Sequence, residues 1–182
     1  MRVYFVTSNK NKFREVERML DSELVMEPLE IPEVQALEVK EVVTEKARKA
    51  YEIVKKPLIV EDTGLYISAL NGFPGALAKW MFGSMENEGV CKMLDCYKDR
   101  SAYAETCICF NDGKRCRVFS GRVYGTIARH PRGGGGFGWD RIFQPKGHSK
   151  TFGEMGMDKK NSMSMRAEAV LKLKRALDSD RI

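Results

Sequence analysis

Several short stretches of this chain carry residue types that could act on a phosphate-bearing ligand. In Thr7-Ser8-Asn9-Lys10-Asn11-Lys12 an apolar run ends in small polar side chains and two lysines. A helix starting there offers unpaired N–H groups and partial positive charge, a seat for phosphate, although the same residues also make a solvated N-cap with surface lysines. The stretch is not a Walker A loop, which requires G-x-x-x-x-G-K-[ST]. Lys46 points between Val42 and Val43 at about 100° per residue, inside an apolar stripe, so its ammonium either snorkels outward or meets a buried anion. Glu61 and Asp62 are neighbours on an extended segment, and alternation sends them to opposite faces, so one of the two can readily enter a given site. Asp62 is chosen because the strand there is expected to give way to a loop at Thr63-Gly64. Glu33, between Pro32 and Val34, could supply a second carboxylate. Mg²⁺ favours such oxygen ligands together with water and substrate phosphates, while each acid alone can equally be a solvated loop residue.

Two further stretches lie late in the chain. Arg132-Gly133-Gly134-Gly135-Gly136-Phe137-Gly138-Trp139-Asp140 contains a G-x-G-x-x-G match. A strand should precede such a fingerprint and a helix follow it, and neither does, so a dinucleotide fold is rejected. The glycines instead permit close backbone approach to a ligand, with Phe137 or Trp139 flat against a base, or else the loop is a connection whose aromatics tuck into the core. Lys160-Asn161-Ser162-Met163-Ser164-Met165-Arg166 brings cations to a helix N-terminus. Positive side chains are unfavourable there unless an anion is present, so a phosphate or an acidic base edge is one partner and solvent the other.

The elements that must position these residues follow from periodicity. Arg2 to Thr7 reads as a strand, and Phe13, Val16, Met19 and Leu20 continue as a helix. Leu24 to Glu27 is a short strand, and Val39 to Val54 follows the helical i, i+3, i+4, i+7 rule. Leu58-Ile59-Val60 is a short strand leading into the acidic pair, a helix is predicted over Met85 to Tyr97, and Ala102 to Phe110 alternates as a strand. Asn111-Asp112-Gly113 is a hairpin turn, Cys116 to Ile127 returns, Arg141 to Gln144 is a further strand, and a helix closes the chain over about Arg166 to Leu177. Strands alternating with helices around a long hairpin predict an α/β fold on a mixed, twisted sheet with flanking helices and two lobes around a central cleft.

With 182 residues, 43% hydrophobic and 31% charged, the chain can bury one core and has no disordered composition. A net charge of +6 leaves open nucleic acid, an acidic membrane surface or a small phosphate ligand. The five cysteines read as free thiols, because Cys107 and Cys109 would lie at the edge of disulfide reach, about 6.8 Å apart along a strand. Cys91 and Cys96 lack partners at zinc spacing, and His130 and His148 are isolated, so no structural zinc is expected. No apolar run approaches a membrane span and no signal-peptide organisation is visible, which makes the cytoplasm the expected location.

In order along nearly the whole chain, these blocks resemble the inosine/xanthosine triphosphate pyrophosphatase family. Thr7-Ser8-Asn9-x-x-Lys12 is similar to its phosphate loop, and Pro32-Glu33-Val34-Gln35 to the segment bearing a metal ligand. Glu61-Asp62-Thr63-Gly64 resembles its acidic motif and is followed by Gly72-Phe73-Pro74-Gly75. Gly136-Phe137-Gly138-Trp139-Asp140 resembles its base loop, Thr151-Phe152-x-Glu154-Met155 the sequel, and Lys160-Asn161 with Ser164-x-Arg166 the closing signature. The resemblance implies hydrolysis of ITP, dITP or XTP to monophosphate and pyrophosphate in a two-lobed homodimer, with no stable nucleic-acid or membrane partner. Thr7 to Lys12, Thr63 and Lys46 would hold the triphosphate, and Glu33 and Asp62 would hold Mg²⁺ or Mn²⁺. Asp62 would activate water. Phe137, Gly138 and Trp139 would face the base, with Asp140, Lys160, Met165 and Arg166 along its polar edge. Three positions depart from the pattern: Met165 replaces a histidine, Arg141 a proline, and Ala76-Leu77-Ala78-Lys79-Trp80 lacks a serine. They bear on base selectivity. A pyrophosphatase for modified pyrimidine or other nucleotides, and a basic nucleic-acid-binding protein, are the alternatives.

Overall fold

A computed structural model of the chain describes residues 2–20 and 22–179. β1 (Arg2–Val6) and β2 (Glu23–Glu27) pair in parallel across α1 (Lys10–Glu17). After α2 (Val39–Val54), β3 (Leu58–Ile67) runs parallel to β1 on one edge and antiparallel to β5 (Ser101–Asn111) on the other. β6 (Cys116–Ile127) and β7 (Phe143–Pro145) extend the sheet antiparallel, giving the order β2-β1-β3-β5-β6-β7, with β4 (Pro74–Gly75) on the far part of β3. The sheet is therefore mixed. α3 (Ala78–Met93), the short α4 (Met157–Asn161) and α5 (Met165–Asp178) complete the helices used below.

Strand alternation divides the core. Val3, Phe5, Ile59, Ile108 and Phe110 face α1 and α5 with Val16, Ala169, Val170 and Leu173. Val6, Leu58, Val60, Cys107 and Cys109 face α2 with Val39, Val43, Ala47 and Ala50. A third cluster joins the other end of β3 and β5 to α3 through Leu65, Ile67, Ala78, Met81, Ala104 and Phe152.

Several boundaries differ from the sequence reading. β3 does not loop out at Thr63-Gly64 but stays paired with β5 through to Ile67. Gly64 is required by close packing rather than a turn: a Cβ there would sit 2.6 Å from the Val39 side chain and 2.9 Å from the Gly75 backbone. α3 begins at Ala78, not Met85, and is broken at Glu86. β7 starts at Phe143, because the Trp139 carbonyl takes the amides of Ile142 and Phe143 in a turn. The hairpin turn is longer than a two-residue loop, with the Asp112 side chain accepting from the amides of Lys114 and Arg115. No helix among the described residues is long and apolar enough to cross a membrane.

Candidate active site

β1 is short, and this opens the site. It pairs with β3 only at Leu58 and Ile59, and β4 rejoins the same edge only at Leu65 and Tyr66. Residues 60–64 of β3 consequently have no strand beside them on that edge, and a cleft of about 510 Å³ opens there. Clefts beyond the carboxyl ends of parallel strands are recurrent ligand sites. Alternation continues from Ile59 and Val60, sending Glu61 toward α5 and Asp62 toward α2. Yet both line the cleft, because its floor is the strand edge and is reached from either face. Of the two side chains, that of Glu61 is wholly buried beneath the cleft and that of Asp62 keeps some exposure to it. Lys12, from the first turn of α1, lies over this edge with Nζ 3.2 Å from Glu61 Oε1 and 3.6 Å from Asp62 Oδ1.

The N-terminus of α1 is capped from within: Asn9 Oδ1 accepts the amides of Asn11 and Lys12 at 3.0 and 3.1 Å. Thr7, Ser8, Asn9 and Lys12 line the cleft, while Lys10 and Asn11 are exposed outside it. Opposite, Lys46 Nζ donates to Glu33 Oε1 at 2.5 Å, so the lysine embedded in the α2 stripe meets a carboxylate at the cleft. Burial pushes the Asp62 carboxyl up; Lys12 pulls it down, Glu33 adds to the rise, and the net position is above the ordinary aspartate range. Among the described residues no group of three or more His, Cys, Asp or Glu is placed to hold a metal. Glu33 and Asp62 still fit a hard divalent cation, which takes one or two carboxylates and completes its shell with phosphate and water. Glu33 adds to the rise at Asp62, a repulsion that a bound cation would relieve.

Beneath the cleft lies a buried ionic network. Glu15, Glu61, Asp140, Lys160 and Arg166 are each at most 4% exposed. Arg166 Nε and Nη2 donate to the two Glu61 oxygens at 2.7 and 3.0 Å, and Nη1 donates to Glu15. Lys160 Nζ donates to Glu15 Oε1 at 3.0 Å and Asp140 Oδ2 at 2.7 Å, and that Asp140 oxygen accepts the Phe137 amide at 2.7 Å. Burial pushes Glu61 up, but Arg166 and Lys12 outweigh it and hold the carboxyl well below the ordinary range. Burial instead prevails at Asp140, which is raised despite Lys160. The anion that the Arg166 position required is thus internal, Glu61 and Glu15. Asp140, Lys160, Met165 and Arg166 all line the cleft with Thr63, Phe137, Gly138 and Trp139. Lys160 Nζ and the Arg166 guanidinium lie 4.7 and 5.5 Å from the Phe137 ring centroid.

Sequence reasoning missed Glu15, although a carboxylate beside Val16 on the apolar side of α1 was the visible signal. It also missed Lys79, which lines the cleft together with Lys12, Lys46 and Lys160, and Trp80, 69% exposed at its rim. Both sit on the first turn of α3, ahead of the helix start that the sequence predicts at Met85.

The chain is similar to known proteins along nearly its whole length. Over 98% of each chain, it is 40% identical to the dITP/XTP pyrophosphatase of Korarchaeum cryptofilum. It is 39% identical to the inosine triphosphate pyrophosphatase of Schizosaccharomyces pombe, covering 98% of this chain and 96% of the relative. A HAM1 protein structure from Coxiella burnetii superposes with a TM-score of 0.88 at 28% identity, covering 98% and 99% of the two chains. The Staphylococcus aureus Ham1 protein shares the fold, with a TM-score of 0.87 at 24% identity over 99% and 100%. The family pattern spans residues 3–176, and the chain belongs to the Ham1 family.

Proposed function

We propose that the chain hydrolyses non-standard purine nucleoside triphosphates, ITP, dITP and XTP, to the monophosphate and pyrophosphate, removing them from the nucleotide pool. The observation that carries this reading is one cleft lined by Lys12, Lys46 and Lys79, by Glu33 and Asp62, and by Phe137 and Trp139. Relatives bearing pyrophosphatase names at about 40% identity over nearly the full chain support it.

The ammonium groups match a polyanionic tail, and Lys12 can exchange its carboxylate contacts for phosphate oxygens. Glu33 and Asp62 would hold Mg²⁺ or Mn²⁺, which when bound neutralises phosphate charge and favours a nucleophilic water. Asp62, with its raised proton affinity, accepts a proton from the water attacking the α-phosphorus, and the lysines stabilise the departing pyrophosphate. Lys160 and Arg166, fixed by Glu15 and Glu61, line the cleft beside Phe137 and would supply hydrogen-bond donors to the acceptor edge of a 6-oxo purine. Such a site rejects a 6-amino base by up to about 10⁴-fold, because mispaired polar groups stay buried. Met165, buried and apolar where the resemblance implies histidine, favours a second reading in which modified pyrimidine triphosphates are also cut.

Incubation with Mg²⁺ and a panel of ITP, XTP, dITP, GTP, ATP and modified pyrimidine triphosphates, with product identification, tests both. Pyrophosphate from the 6-oxo purines supports the first reading, orthophosphate or no turnover refutes it, and preferential use of pyrimidines establishes the second. We also read the protein as a homodimer, on the family resemblance alone, and sedimentation velocity tests it.

A further inference from the structure

α3 breaks at Glu86, whose φ of 57° and ψ of 178° belong to a region that glycine alone occupies without strain. Phe82 lies before the break and Asn87 just after it. On an unbroken helix, positions five apart face directions about 140° apart and could not both meet one loop. Here they do. The Phe82 ring packs on Trp139, centroids 5.8 Å apart, and Asn87 Nδ2 donates to the Gly138 carbonyl at 3.0 Å. Strain retained at a non-glycine residue points to a surrounding structure that fixes it, and the contact it secures is with Phe137-Gly138-Trp139. The seam is not fully paired: Asn87 Oδ1 and Trp139 Nε1 are buried side-chain atoms without a hydrogen-bond partner. Asn87 supplies the hydrogen bond by which α3 meets Gly138, while the flanks of the loop are tied by the Phe137 amide to Asp140 Oδ2 and by the Gly135 amide to the Gly153 carbonyl.

We propose that Asn87 is a positioning residue for base recognition, holding the Gly138 carbonyl so that Phe137 and Trp139 stand at the depth a purine requires. Asn87 stands outside the lining of the main cleft, and its effect reaches the ligand through the loop. This rests on the proposed function. It predicts a defect confined to the base: Lys12, Lys46 and Asp62 belong to other elements, and Lys79, on the first turn of α3, precedes the break at Glu86.

The test compares wild type with Asn87→Ala on ITP and on ribose 5′-triphosphate, which lacks a base. The expected result is a loss in kcat/KM for ITP of between about twofold and tenfold, the range for one hydrogen bond, carried by KM with kcat retained. Ribose 5′-triphosphate should be cut equally well by both proteins. Asn87→Asp preserves shape but aims a carboxylate at the Gly138 carbonyl, and should lose at least as much. Amide hydrogen exchange across residues 133–140 of the free protein should accelerate in both variants. Parallel losses on the two substrates, or unchanged exchange in the loop, would overturn the proposal. If wild type releases no pyrophosphate from ITP, the functional reading falls while the exchange measurement still decides whether Asn87 holds the loop.

Discussion

Replacing Glu15 by Gln removes the buried carboxylate that Lys160 and Arg166 share. Glu15, Glu61 and Asp140 oppose Lys12, Lys160 and Arg166, each within ion-pair distance of at least one partner. All but Lys12 are almost wholly buried, so solvent cannot compensate the positive charge left by Glu15→Gln. Breaking a buried ion pair from one side costs about 3–5 kcal/mol. The lower figure applies here, because Arg166 keeps both bonds to Glu61 and Lys160 keeps Asp140. About 3 kcal/mol is a large part of the roughly 5–15 kcal/mol by which a domain is stable. At roughly 2–4 °C per kcal/mol for a chain of this size, Tm should fall by about 6–12 °C. Thermal unfolding followed by circular dichroism measures this, with Glu17→Gln as control, since Glu17 is exposed on the same helix and should change stability by no more than about 0.5 kcal/mol. The fall should persist at high salt, because buried charges are weakly screened. A drop below about 2 °C, or one that salt abolishes, would show that water reaches the cluster and that its ion pairs do not stabilise the fold.

Asp62→Asn should lower kcat by about 10²–10⁴-fold, the scale of a lost general base. Because the folded-state carboxyl is raised, ionising it opposes folding as pH rises through that range; the Asn variant should therefore melt higher than wild type at pH 7, the gap closing as pH falls below both the folded and unfolded values. Equal melting of the two proteins at pH 7 would contradict the buried placement. Lys12→Ala should reduce kcat/KM for a triphosphate by roughly tenfold to a hundredfold, as expected for a lost charge-assisted bond, and unchanged kinetics would remove Lys12 from the phosphate site. Gly121→Ala places a Cβ 2.0 Å from the Met165 carbonyl oxygen and should destabilise by about 1–3 kcal/mol, read from urea unfolding, as it forces the Arg166 turn of α5 off β6. Glu86→Gly removes left-handed strain at an exposed position and should raise Tm by a few degrees, since the roughly 1–3 kcal/mol of strain exceeds the entropic cost of glycine.

The parts of the fold legible in the sequence are those where one periodicity runs uninterrupted. α2 keeps Val39, Val42, Val43, Ala47 and Ala50 on one buried face, and β5 and β6 pair along almost their full lengths. α3 was misplaced because its periodicity changes at the break: Ala78 and Met81 are buried before Glu86, Val90 and Cys91 after it, and no single helical phase joins them. Thr63-Gly64 looked like the end of a strand because glycine's use in a turn and its use in close packing leave the same mark in a sequence. The acidic pair, the lysines and the aromatic loop were found by residue type and order. The network joining them was not, since Glu15 and Arg166 are 151 positions apart and only folding makes them partners.

One strand edge accounts for how adjacent carboxylates acquire different chemistry. Had β1 extended along β3, residues 60–64 would be paired on both sides, and neither Glu61 nor Asp62 could reach a ligand. With that edge open, alternation gives each acid its own surroundings. Glu61 turns inward to Arg166 and Thr63 and is held ionised, well below the ordinary range. Asp62 turns toward Glu33 and Lys46 and is raised. Groups whose surroundings push their proton affinities apart are suited to different tasks. Glu61 fixes the guanidinium on the base side as a permanent anion, and Asp62 remains able to take a proton. Exchanging the pair, Glu61→Asp with Asp62→Glu, keeps the net charge and both carboxylates but shortens the reach to Arg166 and lengthens the one toward the cleft. Turnover should fall even though every charge survives, because the separation of roles depends on side-chain reach as well as on sign.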